Sequence, residues 1–226
     1  YKVPFTNTNG TPPSGAVFLY LGSQDGINET PDWSYEAEVS EIKLGFAVAF
    51  AGDVNNDTYA DFLVGAPFYE SSSELSNEGI AYLFLGSKDG LAAEPDWAFA
   101  CGQAAASCGH SVGSAGNLNN DDYDDIVIGA PHYDNPEDDE GAAFVFLGST
   151  DGPALAYERL LQGSQPGAEF GTSVAGGGDV NGDQFDDLII GAPYFDRDEL
   201  NPDYGAAFLF LGSSGGVGAD YDAVLS

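Results

Sequence analysis

The stretch Phe170-Gly171-Thr172-Ser173-Val174, then Gly178-Asp179-Val180-Asn181-Gly182-Asp183, then Asp186-Asp187-Leu188-Ile189-Ile190-Gly191-Ala192-Pro193 places a short strand pattern, an acidic loop and a more apolar strand in immediate succession. The same order recurs from Leu44-Gly45-Phe46-Ala47-Val48 and from Cys108-Gly109-His110-Ser111-Val112. Gly-Ala-Pro falls at 65–67, 129–131 and 191–193, spaced by 64 and 62 residues. Leu-Gly-Ser begins at Leu21, Leu85, Leu147 and Leu211, spaced by 64, 62 and 64. A repeat of about 63 residues therefore fills the chain, and each unit is expected to bury its apolar faces by stacking on its neighbours.

Within one unit the pattern reads as four short strands. In the second complete unit they are A at 110–116, B at 125–130, C at 142–147 and a less regular D at 155–162. Strands B and C are nearly continuous in Val, Ile, Leu, Phe and Ala, which suits sheets covered on both faces. Gly (31) and Pro (12) supply the turns that many short strands require. Four-stranded sheets repeated radially predict an all-β fold, a β-propeller of four-stranded blades.

The Phe-Gly, acidic-loop and Gly-Ala-Pro series resembles the FG-GAP repeat of integrin alpha-subunit propellers and of bacterial secreted and surface proteins. A turn followed by Pro-x-Trp, at Asp25-Gly26 with Pro31-Asp32-Trp33 and at Asp89-Gly90 with Pro95-Asp96-Trp97, is closer to the bacterial branch. The chain departs from the pattern where Leu44 and Cys108 replace the Phe of Phe-Gly, and where Pro-x-Trp is not evident in the third unit. The resemblance implies adhesion or ligand capture through loops on one propeller face, and closure with seven blades.

Aligning Tyr1-Lys2-Val3-Pro4-Phe5 with Val64-Gly65-Ala66-Pro67-Phe68 puts residue 1 at the end of a strand B. A single propeller segment over 1–226 is expected, about three and a half blades: a partial blade at 1–40 and blades at 41–104, 105–166 and 167–226. Strands C and D within 15–40 should pair, with A and B missing or supplied by another chain. Two copies would each bring the same half-blade, which favours a segment of a longer chain over a self-assembling half-propeller or an open filament.

Charge narrows the partners. With 37 Asp+Glu against 5 Lys+Arg and a net charge of −32, the chain lacks the basic clusters that hold nucleic acid or anionic lipid. No apolar run is long enough to span a bilayer, so no direct membrane insertion is expected. The expected partners are a protein or polysaccharide ligand, or further copies of the chain.

The chemistry lies in the A–B loops. They read Asp53-x-Asn55-x-Asp57-x-Tyr59-x-Asp61, Asn117-x-Asn119-x-Asp121-x-Tyr123-x-Asp125 and Asp179-x-Asn181-x-Asp183-x-Phe185-x-Asp187. Positions 1, 3, 5 and 9 offer side-chain oxygens and position 7 a backbone carbonyl, a donor set suited to Ca²⁺. Position 4 is Asn56, Asn120 or Gly182, residue types that accept a left-handed backbone where a loop curls around an ion. Position 12 is Val64, Ile128 or Ile190 where an EF-hand has Glu, so three strand-loop-strand Ca²⁺ sites are expected. Solvated Asp/Asn turns are the plainer alternative, and Mg²⁺ fits less well because it demands stricter octahedral geometry. Affinity is expected to fall from loop three to one to two, because loop three has Gly182 and loop two lacks a carboxylate at Asn117.

Three Ca²⁺ ions offset a minor part of the negative charge. The runs 134–140 and 196–203 in the B–C loops read as a solvated acidic rim that keeps the protein soluble, or as a second cation-dependent contact surface.

Enzyme signatures are sparse. Gly109-His110-Ser111-Val112-Gly113 matches a nucleophile-elbow pattern, but its counterparts at Gly45 and Gly171 mark an ordinary strand A. His110 and His132 are the only histidines and lie in different parts of the repeat. No catalysis is expected. Trp33 and Trp97 read as blade packing rather than sugar platforms. Cys101 and Cys108, with 102–107 between them, are expected to form a disulfide, the alternative being two small buried residues. Together these readings describe an extracellular Ca²⁺-stabilised adhesion module on a cell surface or secreted protein. The alternatives are a structural subunit of a surface layer or filament, or the non-catalytic propeller of a secreted hydrolase.

Overall fold

The computed structural model describes residues 15–24, 26–37, 39, 41–197 and 203–225, and these form strands and turns with no helix among them. At the N-terminal side β1 (Ala16–Leu19) pairs antiparallel with β4 (Trp33–Glu36), and a small ribbon of β2 (Gly22–Ser23) and β3 (Gly26–Ile27) lies between them in sequence. The two strands expected to pair within 15–40 thus do so. The alignment of 1–5 with a strand B falls outside the described residues.

Three antiparallel sheets of four strands come next, each hydrogen-bonded in sequence order. They comprise β5 (Ala47–Gly52), β6 (Asp61–Ala66), β7 (Ile80–Phe84) and β8 (Trp97–Ala100); then β9 (Ser111–Gly116), β10 (Asp125–Ala130), β11 (Ala142–Phe146) and β12 (Arg159–Gln162). The last sheet holds β13 (Ser173–Gly178), β14 (Asp187–Ala192), β15 (Ala206–Phe210) and β16 (Ala223–Leu225). Their first strands, β5, β9 and β13, lie side by side, so the sheets are successive blades of a partial β-propeller.

The continuous apolar strands result from this stacking. All of β10 is buried, and its alternate side chains enter two different cores. Ile126 and Ile128 join Leu63 and Leu83 of the preceding blade, whereas Val127 joins Leu188 and Phe208 of the following one. Each such side chain contributes about 1.5–3 kcal/mol through burial. A strand buried on one face only would alternate instead.

The two halves of the repeat motif meet directly. Gly109 N–H donates to the Gly129 carbonyl at 3.1 Å, and Gly45 to Gly65 and Gly171 to Gly191 do the same at 3.0 and 3.1 Å. Gly129 also faces the next blade, where a Cβ would collide with the carbonyl oxygen of Gly171. Glycine is required there because two backbones touch. Leu44, Cys108 and Phe170 are all buried, so the Phe of Phe-Gly is a core position that other apolar residues can fill. At Cys108 the filling is a disulfide to Cys101, with the Cα atoms 5.7 Å apart.

Blades are also pinned by side chains reaching forward. The Trp33 indole N–H donates to Ala92 O at 2.9 Å, and that of Trp97 to Ala154 O at 3.2 Å. Trp97 also meets Phe146 edge-on, centroids 4.9 Å apart. The tryptophans therefore serve blade packing. The fourth strand of that blade begins at Arg159 rather than near 155, the preceding residues forming the turn that Gly152 N–H closes on Ser149 O. Ser111, at the start of β9, donates its hydroxyl hydrogen to Gly171 O at 2.8 Å, a contact between blades.

The acidic rim needs one correction. Residues 134–139 are exposed, but Glu140 is buried and accepts the Gln162 amide at 2.9 Å. Glu78 is likewise buried and accepts Ser71 N–H at 2.8 Å. In these two blades the acid just before the Gly that leads into the third strand is an internal hydrogen-bond acceptor, whereas in the last blade Tyr204 precedes Gly205. In the second run, 198–202 fall outside the described residues.

Candidate cation-binding loops

Each A–B hairpin ends in a bulge that opens the acidic loop. Gly52 pairs with Asp61, Gly116 with Asp125 and Gly178 with Asp187, with one residue skipped on the first strand. The bulge bends the strand and re-aims the loop residues beyond it. Position 1 of the loop is thereby the first residue beyond the ladder, and position 9 the first residue of the returning strand.

Position 9 is fully buried in all three loops. Asp61 accepts Val54 N–H and Gly86 N–H, both at 2.8 Å. Asp125 accepts Leu118 N–H at 2.8 Å and Gly148 N–H at 2.9 Å; Asp187 accepts Val180 N–H at 2.7 Å and Gly212 N–H at 2.9 Å. Gly86, Gly148 and Gly212 belong to Leu-Gly-Ser, so this one carboxylate ties the loop to the C–D turn. Burial pushes the Asp61 carboxyl up to about 6 and that of Asp125 to about 7, against the lowering effect of those backbone bonds.

The other positions are drawn inward by the loop's own amides. Asp53 accepts from the N–H groups of Asp57 and Thr58 at 2.9 and 2.8 Å, and Asp57 accepts from Tyr59 N–H at 2.9 Å. Asn55 accepts from Asp57 N–H and donates to the Asp57 carboxylate, both at 3.2 Å. Loop three repeats this through Asp179, Asn181, Asp183 and Phe185. The N–H groups of Gln184 above all, with those of Gly182 and Asp183, hold the Asp179 carboxyl below the usual range. Asn56, Asn120 and Gly182 take the left-handed backbone expected at position 4, with φ of 55°, 54° and 81°.

Loop two differs where its sequence differs. Asn117 accepts Asp121 N–H at 3.0 Å but turns its amide hydrogens to Asp121 O at 2.5 Å, so it offers one oxygen where Asp53 and Asp179 offer two. Asn119 and Tyr123 keep the pattern: Asn119 donates to the Asp121 carboxylate at 2.8 Å, and Tyr123 N–H donates to it at 2.8 Å. Position 6 is left-handed in loops one and three, at Thr58 and Gln184, but Asp122 is not.

Among the described residues no three His, Cys, Asp or Glu side chains already stand as a metal cluster. Position 9 already accepts two backbone N–H groups at the loop base and position 3 is Asn rather than an acid, but each carboxylate oxygen of position 9 keeps a second lone pair that an ion can use. The donors of each loop are carboxylate, amide and backbone oxygens, the set a hard divalent cation prefers, and an ion could replace the N–H groups that now occupy those carboxylates.

A further feature was not read from the sequence. Asp124, at position 8 of loop two, accepts Asp53 N–H at 2.8 Å and returns its own N–H to Asp53 O at 3.1 Å. Asp186 of loop three does the same to Asn117, at 2.9 and 3.1 Å. Position 8 is Asp in these two loops but Ala60 in loop one, a contrast that only an alignment of loop positions could have raised.

The repeats match the protein-family model described as "FG-GAP repeat" at residues 44–84, 109–146 and 170–210. Integrin alpha-7 of Mus musculus is 35% identical over 180 residues, covering 79% of this chain and 14% of the relative. Integrin alpha-5 of Xenopus laevis is 30% identical over 190 residues, covering 81% and 18%, and integrin alpha-IIb of Mus musculus is 36% identical over 154 residues, covering 66% and 15%. The chain thus spans less than a fifth of the length of these relatives.

Proposed function

Because the chain belongs to the FG-GAP repeat family, we propose that it is a calcium-binding propeller segment serving adhesion or ligand capture outside the cell. The observation that carries this reading is the threefold recurrence, side by side at one end of the blades, of an oxygen-lined loop closed by a buried aspartate. The blades are taken as 41–104, 105–166 and 167–226, following the half-blade at 1–40.

In loop one the ion would be held by Asp53, Asn55, Asp57 and Asp61 with the carbonyl of Tyr59. In loop two the set is Asn117, Asn119, Asp121 and Asp125 with Tyr123, and in loop three Asp179, Asn181, Asp183 and Asp187 with Phe185. Bound Ca²⁺ supplies positive charge that holds the loop carboxylates together. It performs no chemistry. The protein's part is to present carboxylates on a preformed curl, and the loops on a stacked, rigid scaffold can then offer a fixed surface to a protein or polysaccharide partner. Similarity to integrin alpha chains supports the adhesive role, and the disulfide supports an oxidising location.

The functional test is binding of the purified chain to immobilised extracellular-matrix proteins and polysaccharides in about 1 mM Ca²⁺ and in chelator. Saturable binding that chelation abolishes is expected. Binding indifferent to the cation, or none to any of these surfaces, contradicts the proposal.

A further inference from the structure

We infer that Asp124 and Asp186 are positioning residues that couple the cation loops, so that filling one loop raises the affinity of its neighbour. The inference rests on the calcium reading of the loops and goes beyond it. Asp124 stands between Tyr123 and Asp125, two residues assigned to the ion of loop two. Through its carboxylate and its own N–H it holds both backbone polar groups of Asp53, the first ligand of loop one. Asp186 stands between Phe185 and Asp187 of loop three and holds Asn117, the first ligand of loop two, in the same way.

The contact is built into the fold. Gly52 and Gly116, at φ of 91° and 72°, immediately precede the held residues, and a Cβ on either would collide with the Asp124 or Asp186 carboxylate. Gly178 has the same backbone at 63°, but an added Cβ there would meet nothing within 4 Å among the described residues. A second bond reinforces each junction: Ser149 N–H donates to Val54 O and Ser213 N–H to Leu118 O, both at 3.0 Å. An ion in loop two fixes residues 123 and 125, hence Asp124, hence the place of Asp53. Because coupling between binding sites is reciprocal, an ion in loop one must favour loop two equally. The series runs three to two to one and stops at Ala60, which has no carboxylate to extend it.

The test is a Ca²⁺ titration of the chelated full chain, following the amide resonances of Asp57, Asp121 and Asp183 separately. The native chain should fill cooperatively. Asp124→Ala should weaken loop one by about fivefold or more, the lower range of ordinary coupling, and remove its dependence on loop two. Asp124→Asn, whose side-chain oxygen can still accept Asp53 N–H, should restore most of the loss. Asp186→Ala should uncouple loops three and two in the same manner, weakening loop two and removing the gain loop three takes from it, while loop three with loop two empty keeps its native affinity, so the inference can be judged even where the first variant folds poorly. Independent filling in the native chain, or an unchanged loop-one affinity in Asp124→Ala together with an unchanged loop-two affinity in Asp186→Ala, overturns the coupling while leaving the calcium reading intact. No Ca²⁺ response at any loop overturns both.

Discussion

The carboxylate of Asp125 accepts the backbone N–H of Gly148 at 2.9 Å, joining the acidic loop of its blade to the turn between the third and fourth strands. Its second oxygen accepts Leu118 N–H, so removing the side chain leaves two buried donors without partners. Asp125→Ala should therefore destabilise the chelated protein by about 2–4 kcal/mol, since each unsatisfied buried group costs about 1–3 kcal/mol. Asp121→Ala, on the exposed part of the loop, should stay within about 1 kcal/mol in chelator. Urea unfolding of the two variants checks this. Equal losses would mean that position 9 has no structural role beyond that of its neighbours.

Trp97 and Arg159 hold corresponding places, paired with Leu83 and Val145 in their own sheets. Arg159 Nε donates to Val217 O at 3.0 Å on the next blade, as the Trp97 indole does to Ala154 O. Trp97→Ala removes the bond and the buried ring and should cost about 3–5 kcal/mol. Arg159→Ala removes mainly the bond and should cost about 1 kcal/mol. A cost for Arg159→Ala matching that of Trp97→Ala would show that the ring adds little.

The Cys101–Cys108 bridge closes a short loop, with a sequence separation of 7. Replacing both residues with Ala should lower stability by about 2 kcal/mol in the chain-entropy model. Mass spectrometry of the unreduced protein should find no free thiol. An alkylated thiol at either position would contradict the pairing.

His110 packs on Phe46, ring centroids 4.9 Å apart, and burial, followed by the nearby His132, lowers its pKa below the ordinary 6.5. The folded state thus favours the neutral ring. This contribution is present in full above pH 6.5 and is lost as the pH falls from there through the folded pKa. His110→Thr, which installs the residue found at Thr172, should lose less stability than the native chain between about pH 7 and about pH 5. Parallel thermal melts across that range decide it, and identical pH profiles would exclude the ring.

The blades could be read from the sequence because their signals are local and repeated. Gly-Ala-Pro, the acidic loop and Leu-Gly-Ser return at nearly constant spacing, and residues 125–130 coincide with β10. What stayed hidden depended on contacts between units. Arg159 has no resemblance to Trp97 as a residue type, and only their shared register and forward reach show that they do one task. The aspartates at position 8 lie outside the ligand pattern of the loops, and their role depends on Asp124 meeting Asp53 across the blade junction. The burial of Glu140 inside an acidic run, and the commitment of both Asp61 oxygens to backbone amides, likewise arise from neighbours far along the chain or across a turn.

Calcium binding by the three loops is read most directly by calorimetric titration of Ca²⁺ into the chelated chain, paired with melting curves with and without the ion. Three ions should bind, with loop three the tightest and loop two, limited by Asn117, the weakest. With extracellular-type affinities near 10⁻⁴ M, about 1 mM Ca²⁺ should stabilise by on the order of 1.4 kcal/mol per site and raise Tm by about 10 °C in all. Asp57→Ala, Asp121→Ala and Asp183→Ala should each remove one ion. No bound Ca²⁺, with a melting temperature indifferent to chelation, would contradict the account.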